Sequence, residues 1–460
     1  MEIKIKESPQ TMQQQNSRQQ FIKMTQQPVS RLLLSLSIPT IISMMVTNIY
    51  NMIDTAFVSR LGTSASGATG IVFGFMAILQ AFGFLCGQGA GSIMSRNLGA
   101  KRIDEAIRYT TTGFFLSFFL GLLITMFSLI FLEPLIYLLG STETIAEYAK
   151  DYMIFIIFSA PFFTTSFTMN NLLRYEGRAK LGTIGMMTGA IINIAGDALF
   201  IFVFHMGIKG AGLSTALSQL ISFGILLSMY LTGKTQTKIA FSSLAKDFHT
   251  YANIIATGFP SLLRQSLNSI AAMLLNNCAN IYGDAAVAAM SIVSRVSFFP
   301  MAIAIGIGQG FQPISSFNYG AKKFDRVRRA FWSAFWGSEV ALFLISIPIF
   351  LFAPTLIAFF RNDSLVIIYG ERALQLMCIG QLFVPLTMMV EMGFQSTGQK
   401  LLASFTSTLR SGFLFIPILL ILSRLRGMNG IQEAQPLAFV FTFMICLFLC
   451  KIYLNKIKAK

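Results

Sequence analysis

The chain has 460 residues, of which 54% are hydrophobic and only 12% are charged. A soluble domain needs roughly a quarter of its residues charged to cover its surface, so this composition excludes a soluble globular protein. The formal net charge of +16 could suggest a nucleic-acid ligand. The basic residues lie between apolar runs, however, where membrane topology places them. We therefore expect a polytopic membrane protein without a nucleic-acid partner.

The predicted elements begin with a polar segment over residues 1–30, which is rich in Gln, and we expect no cleavable signal in it. We expect this segment to be a solvated or membrane-surface tail. Apolar runs of about 20 residues follow, each long enough to cross the hydrocarbon core as a helix. The twelve predicted spans are 33–58, 68–95, 109–132, 147–173, 182–204, 210–232, 253–281, 286–315, 331–354, 366–394, 402–423 and 436–452.

The distribution of Lys and Arg tests this topology, because cytoplasmic loops retain positive charge during insertion. The tail, the alternate loops on its side and the C-terminus hold 25 of the 35 basic residues, and the opposite loops hold 7. An even number of spans puts both ends on one side. We expect a multi-pass protein of the cytoplasmic membrane with both termini in the cytoplasm.

An internal repeat recurs at a constant offset of 221 residues, with 11 identities between the 22 aligned positions of 87–108 and 308–329. The same offset carries Pro39 onto Pro260. Each half has six spans, so both should enter the membrane in the same orientation, as parallel repeats that can rock about a cavity. The expected organisation is a cytoplasmic tail at 1–30, an N-terminal lobe at 31–232, a cytoplasmic linker at 233–250, a C-terminal lobe at 251–455 and a cytoplasmic tail at 456–460. The fold class is all-α, with two six-helix bundles related by pseudo-two-fold symmetry.

Ionisable groups inside spans are costly, so each is a functional candidate. The N-terminal half has two such acids, Asp54 and Asp197. Polar residues at helical spacing accompany them in spans 1, 4, 5 and 6: Thr47, Asn51, Asn170, Asn193, Thr215 and Gln219. If these faces converge, they form a pocket that could hold a proton or a sodium ion. The alternative is that each acid lies near a helix end in contact with water.

The C-terminal half carries a different set of charges inside its spans: Arg264, Arg295, Glu339, Glu391 and Arg410. One interpretation is that Arg264 or Arg295 pairs with Glu391 or Glu339 and neutralises the bundle interior. The other makes Glu391 a second ion or substrate site. Proline removes a helix hydrogen bond and permits a bend, so span 1 could bend at Pro39 in response to the charge of Asp54.

These residues resemble the multidrug and toxic compound extrusion (MATE) family, within the wider MOP flippase superfamily. The resemblance covers about residues 30–455 and rests on the duplicated layout and on short motifs. These are Asn51-Met52-Ile53-Asp54 in span 1, Gly87-Gln88-Gly89 and Asn97-Leu98-Gly99-Ala100 after span 2, Asn193 with Asp197 in span 5, and Gly210-Ala211-Gly212 with Thr215 in span 6.

The resemblance implies antiport, in which inward H⁺ or Na⁺ drives export of organic, often cationic, compounds. It implies a cation-coupling site at Asp54, Asn193, Asp197 and Thr215, which would also be the metal ligands if Na⁺ is the ion. It further implies a bend at Pro39 and an N-lobe cavity lined by Thr47, Asn170 and Gln219. Span 7 lacks the acid that some sodium-linked members carry in the C-lobe.

We therefore predict a multidrug exporter rather than an enzyme, without a cofactor other than the coupling ion. Its partners would be drug-like solutes and membrane lipid, and it would be a monomer. Thr47, Asn51, Asn170, Gln219, Arg264 and Glu391 are the predicted substrate-cavity residues. The alternative is a lipid-linked saccharide flippase, which would need a strongly basic cavity for pyrophosphate. Arg264, Arg295 and Arg410 are the candidates for the basic residues of that cavity. A receptor without transport is disfavoured because no extramembrane segment is large enough to signal.

Overall fold

The computed structural model describes residues 9–458, and this part of the chain is helical almost throughout. The first eight residues of the predicted N-terminal tail and the last two of the C-terminal tail lie outside it. In chain order the helices are α1 (Pro9–Gln26), α2 (Val29–Ser59), α3 (Thr63–Gly99), α4 (Ile103–Ile130), α5 (Leu132–Leu138), α6 (Glu143–Tyr175), α7 (Ala179–Asp197), α8 (Gly207–Leu231), α9 (Phe248–Asn280), α10 (Asp284–Gly320), α11 (Phe324–Leu351), α12 (Ala353–Phe360), α13 (Ser364–Gln381), α14 (Val384–Ser396), α15 (Lys400–Thr408), α16 (Phe415–Arg426) and α17 (Met428–Lys458). Wider π-helical turns follow α7 at Ala198–Val203 and α15 at Leu409–Phe413.

The helices agree with the predicted membrane architecture. Within residues 9–458, ten helices are long and apolar enough to cross a membrane, and the count is eleven if α13 and α14, which are bent by 49° relative to each other, are taken as one span. The predicted span at 253–281 corresponds to α9, which has 33 residues but a more polar sequence. The predicted all-α membrane fold is thus confirmed.

The N-terminal segment, described from residue 9 onward, packs against the rest of the protein, whereas we expected a solvated or membrane-surface tail. It forms α1, and its residues Gln20, Met24 and Thr25 are buried. The Gln20 side chain donates a hydrogen bond to the carbonyl of Glu176 (3.0 Å), and Asn318 donates to the carbonyl of Met24 (3.1 Å). The high Gln content suggested solvation, but an amide side chain can equally satisfy carbonyls at helix ends.

The chain divides into two compact units. The first comprises residues 1–28, 42–258 and 316–323, and the second comprises 29–41, 259–315 and 324–460. Three of the divisions fall inside helices: just after Pro39 in α2, just before Pro260 in α9, and between residues 315 and 316 in α10. The repeat-related prolines therefore stand where α2 and α9 pass from one compact unit to the other.

The first unit packs around α3 and α6, which approach each other closely. Glycines on α3 at every fourth position, Gly83, Gly87 and Gly91, lie against Phe167, Asn171 and Tyr175 of α6. A Cβ atom at any of these glycines would overlap the α6 side chain. Such stripes of small residues are how membrane helices gain packing energy without a hydrophobic driving force.

The predicted linker is anchored to the first unit. Glu176, which follows α6 and is fully buried, accepts hydrogen bonds from the backbone N–H groups of Gln236 (3.2 Å) and Thr237 (2.8 Å) and from the Thr237 hydroxyl. Burial raises the pKa of the Glu176 carboxyl, and the bonds from Thr237 oppose this. A buried carboxylate with three donors holds the linker at the end of α6.

Candidate cation site in the first unit

Glycines determine how closely α7 approaches α8. Gly185, Gly189, Asn193 and Asp197 follow one another at four-residue steps and therefore share one face of α7. Gly185 lies against Leu226 of α8, and Gly189 lies against Ser222. The same face consequently brings the amide and the carboxyl group against α8.

Asn193 and Asp197 are almost completely buried at this contact. The Asn193 amide donates to the Thr215 hydroxyl of α8 (3.1 Å), and the Ser214 hydroxyl donates to the Asn193 backbone carbonyl (2.9 Å). These bonds fix the orientation of Asn193, and no donor among the described residues hydrogen-bonds to its side-chain oxygen.

Asp54 of α2 meets this pair of helices. Its carboxyl group is 2% exposed and accepts a hydrogen bond from the Tyr152 hydroxyl of α6 (2.9 Å). The same hydroxyl lies 3.3 Å from the Thr215 oxygen. The carboxyl groups of Asp54 and Asp197 are close enough to interact electrostatically. Two adjacent carboxyl groups cannot both ionise cheaply in a site of low dielectric, so the pair requires a counter-ion or a shared proton.

Acceptor atoms outnumber donors in this cluster. Among the described residues no donor makes a well-formed hydrogen bond to Asp54 Oδ1, to either oxygen of Asp197 or to Asn193 Oδ1. Four buried acceptors without donors are costly unless a cation satisfies them. Carboxylate, amide and hydroxyl oxygens suit either a proton or a hard cation such as Na⁺.

The structure therefore brings together the four residues predicted for cation coupling, Asp54, Asn193, Asp197 and Thr215, and adds Tyr152 and Ser214. Sequence reasoning missed Tyr152 because tyrosine is common in membrane helices. The available signal was that a buried tyrosine hydroxyl usually finds a hydrogen-bond partner.

The other polar residues predicted to line an N-lobe cavity lie apart from this hydrogen-bond network. Within residues 9–458, none of the side chains of Thr47, Asn51, Asn170 and Gln219 hydrogen-bonds to the side chains of the four cation-site residues. Thr47 donates to the Ser43 carbonyl of its own helix, and Asn170 contacts Gly182 of α7. Gln219 is 7% exposed, and its amide oxygen has no donor among the described residues. Pro39 is buried inside α2.

In the second unit, Arg264 of α9 forms an ion pair with Glu391 of α14 (2.7 Å). Their side chains are 7% and 5% exposed. Of the two interpretations of these charges, the structure shows the mutual pairing. Arg295 is exposed, and neither Arg264 nor Glu391 is among the residues lining the cavity found in this unit.

Comparison with known proteins decides the family. The MatE family model matches the chain twice, at residues 39–199 and 260–421. The chain belongs to the MatE family. The two matches begin at Pro39 and Pro260, which is the 221-residue offset of the internal repeat. The predicted membership of the MATE family is therefore confirmed, and the chain is a multi-pass membrane protein of a transporter family.

Relatives with assigned names support this membership over nearly the whole chain. The chain is 26% identical to the multidrug export protein MepA of Staphylococcus haemolyticus over 416 residues, which cover 90% of this chain and 91% of that protein. It is 25% identical to MepA of Staphylococcus aureus over 405 residues, covering 88% and 89%. These relatives are named as export proteins rather than enzymes.

Solved structures show the same fold. A structure described as the outward-facing conformation of a multidrug resistance MATE family transporter has a TM-score of 0.90 at 22% identity, covering 95% of this chain and 99% of the other. A MOP superfamily transporter from Pyrococcus furiosus, whose binding pocket is described as having reverse polarity, has a TM-score of 0.89 at 22% identity, covering 95% and 98%.

Proposed function

We propose that this chain exports drug-like organic compounds, often cationic, across the cytoplasmic membrane in exchange for inward-moving H⁺ or Na⁺. Transport proceeds by alternating access, with both termini in the cytoplasm and the chain acting as a monomer. The export of drugs is supported by the relatives named multidrug export protein. The coupling ion binds at Asp54, Asn193, Asp197 and Thr215.

The observation that carries this proposal is the excess of buried acceptors around two interacting carboxyl groups. A site of this kind gains stability when a cation enters and loses it when the cation leaves. One charge crossing 100 mV supplies about 2.3 kcal/mol, which adds to the ion gradient. Cation binding therefore stabilises this site, and the membrane potential together with the ion gradient drives the cation inward.

Thr47, Asn51, Asn170 and Gln219 are assigned to the substrate cavity of the first unit. Their half-buried or buried polar groups are held by α2, α6 and α8, the helices that also supply Asp54, Tyr152 and Thr215. Bending of α2 at Pro39 would move Asp54 relative to α6 and α8. The ion site and the cavity therefore share helices, and this arrangement supports exchange of ion and solute.

The ion pair of Arg264 with Glu391 counts against the flippase alternative. A flippase needs several free cations in one basic cavity, and the guanidinium of Arg264 is neutralised by Glu391. Ion-dependent efflux of a dye separates the two functions, because a flippase acting on a lipid-linked saccharide would leave the dye in place.

The test is ethidium efflux from vesicles under imposed pH or sodium gradients. Asp197→Asn removes the charge of one carboxyl group with little change in volume, so we expect gradient-driven efflux to be lost. The matched control is Asp104→Asn, which makes the same change at an exposed position of α4. Efflux by Asp197→Asn at the wild-type rate, with the protein inserted normally, would reject the assignment.

A further inference from the structure

The second unit contains a cavity of about 290 Å³, and none of the residues proposed for cation coupling lines it. Its walls include Phe298, Phe415 and Phe439, with Met301 and Met377 beside them. Flat aromatic side chains and adaptable methionines are suited to the ring system of an organic ligand. The apolar walls thus provide a place for an aromatic body.

Arg410 is the ionised group on the wall of this cavity. It lies in the π-helical turn Leu409–Phe413, and in the described part of the chain its buried Nη1 has no hydrogen-bond partner. It interacts electrostatically with both Arg264 and Glu391. The Glu391 carboxylate already pairs with Arg264. The two arginines and the one carboxylate together therefore keep an excess positive charge.

Side-chain amide groups line the same cavity as Arg410. Asn268 lines the cavity, and its Oδ1 accepts a hydrogen bond from the Ser411 hydroxyl (2.5 Å). Its NH₂ group therefore remains as a donor at the cavity. Gln435 supplies a second amide to the lining. A guanidinium with amide donors nearby is suited to a carboxylate, which can accept two parallel hydrogen bonds from arginine.

We propose that this cavity binds aromatic organic anions and zwitterions, with the ligand carboxylate on Arg410 and the ring system against Phe298, Phe415 and Phe439. This assignment extends the substrates of the proposed exporter to compounds that carry a carboxylate. Only the claim that these ligands are transported rests on the proposed function. Equilibrium binding needs no ion gradient, so failure of ion coupling and failure of this site are distinguishable.

The test is fluorescence titration of the purified full-length protein in phosphatidylcholine nanodiscs with two probes. Dansylglycine carries a free carboxylate, whereas dansylglycinamide has the same ring system and is neutral. The wild-type protein should bind dansylglycine roughly 10- to 100-fold more tightly, since charge-assisted hydrogen bonds have that effect on affinity. Arg410→Gln should remove this preference and leave the affinity for the amide unchanged, which also shows that the variant is folded.

Three further variants make the result specific. Arg410→Lys keeps the charge without the planar fork and should retain part of the preference. Arg295→Gln removes an exposed arginine of the same unit that does not line the cavity, and should retain all of it. Asp197→Asn should also retain it, whatever its effect on coupled transport.

Three results would overturn the proposal. The first is equal affinity of the wild-type protein for the two probes, and the second is an undiminished preference in Arg410→Gln. The third is loss of the preference when phosphatidylglycerol is added to the nanodiscs, because an anionic lipid headgroup would then be the occupant. A preference that survives added phosphatidylglycerol supports a solute site.

Discussion

The Tyr152 hydroxyl connects the acid on α2 with the hydroxyl on α8, because it donates to Asp54 and lies beside Thr215. It is the one neutral donor that makes a well-formed hydrogen bond to the Asp54 carboxyl among the described residues. A hydrogen bond to a charged group contributes about 1.5–3 kcal/mol when its partners are buried. At the scale of single residues, this bond should set how readily Asp54 exchanges its cation.

Tyr152→Phe removes that donor and keeps the ring. We expect ion-driven ethidium efflux to fall by about tenfold or more, because the ionised form of Asp54 loses its stabilising hydrogen bond. Initial rates in vesicles measured over a range of ion concentrations would show the change. The required ion concentration should shift as well as the rate.

Tyr230→Phe is the matched control, since Tyr230 is buried in the same unit and its hydroxyl has no hydrogen-bond partner among the described residues. It should behave as the wild-type protein does. Equal effects of the two substitutions would show that ring packing, and not the hydroxyl of Tyr152, is responsible.

Most residues of the candidate site could be predicted from the sequence, because a polar or ionisable side chain inside an apolar span has a high free-energy cost. Asp54 and Asp197 stand out for that reason, and four-residue spacing identifies Asn193 as sharing a face with Asp197. The contribution of Tyr152 could not be predicted, because it depends on how α6 lies against α2. The carbonyl-binding role of Gln20 depends likewise on the position of the α6 terminus.

At the scale of helices, both proposed sites lie next to a π-helical turn. Asp197 directly precedes the turn Ala198–Val203, and Arg410 lies inside Leu409–Phe413. A π-helical turn displaces the residues beside it from the regular helical register and is frequent at functional sites. The sequence did not predict these turns, because apolar periodicity does not distinguish a π-helical turn from a regular helix.

Gly212 of α8 determines how closely that helix approaches α6. A Cβ atom there would lie 2.9 Å from the Tyr152 carbonyl oxygen and 2.8 Å from Phe155 Cδ2. Gly212→Ala should therefore push α8 away from Tyr152, destabilise the protein by about 1–3 kcal/mol as overpacking does, and lower ethidium efflux. Thermal unfolding in detergent and vesicle transport measure the two effects.

The control for this substitution is Gly224→Ala in the same helix, where a Cβ atom meets nothing within 4 Å. It should leave transport unchanged and be neutral or stabilising by up to about 1 kcal/mol, since alanine favours a helix over glycine. If the two alanine variants changed stability and efflux alike, the close approach of α8 to α6 would not matter.

At the scale of the whole molecule, one duplicated fold carries two different chemistries. The offset of 221 residues was visible in the sequence, and the family model begins its two matches at the same offset. The polar cluster of the first unit is acidic, whereas the second unit places Leu275 at the position equivalent to Asp54 and keeps Arg410 beside an ion pair. The repeat gives the two units the same arrangement of helices. Residues that differ between the two halves inside the spans then determine which ligand each unit can bind.

The most direct test of the account reverses the exchange in proteoliposomes that contain a pH- or sodium-sensitive dye. An imposed ethidium gradient, without any ion gradient, should drive H⁺ or Na⁺ in the opposite direction through the wild-type protein. Asp54→Asn and Asp197→Asn should abolish this cation movement, because each removes one of the two carboxyl groups. Cation movement at the wild-type rate in either variant would contradict a coupling site at these residues.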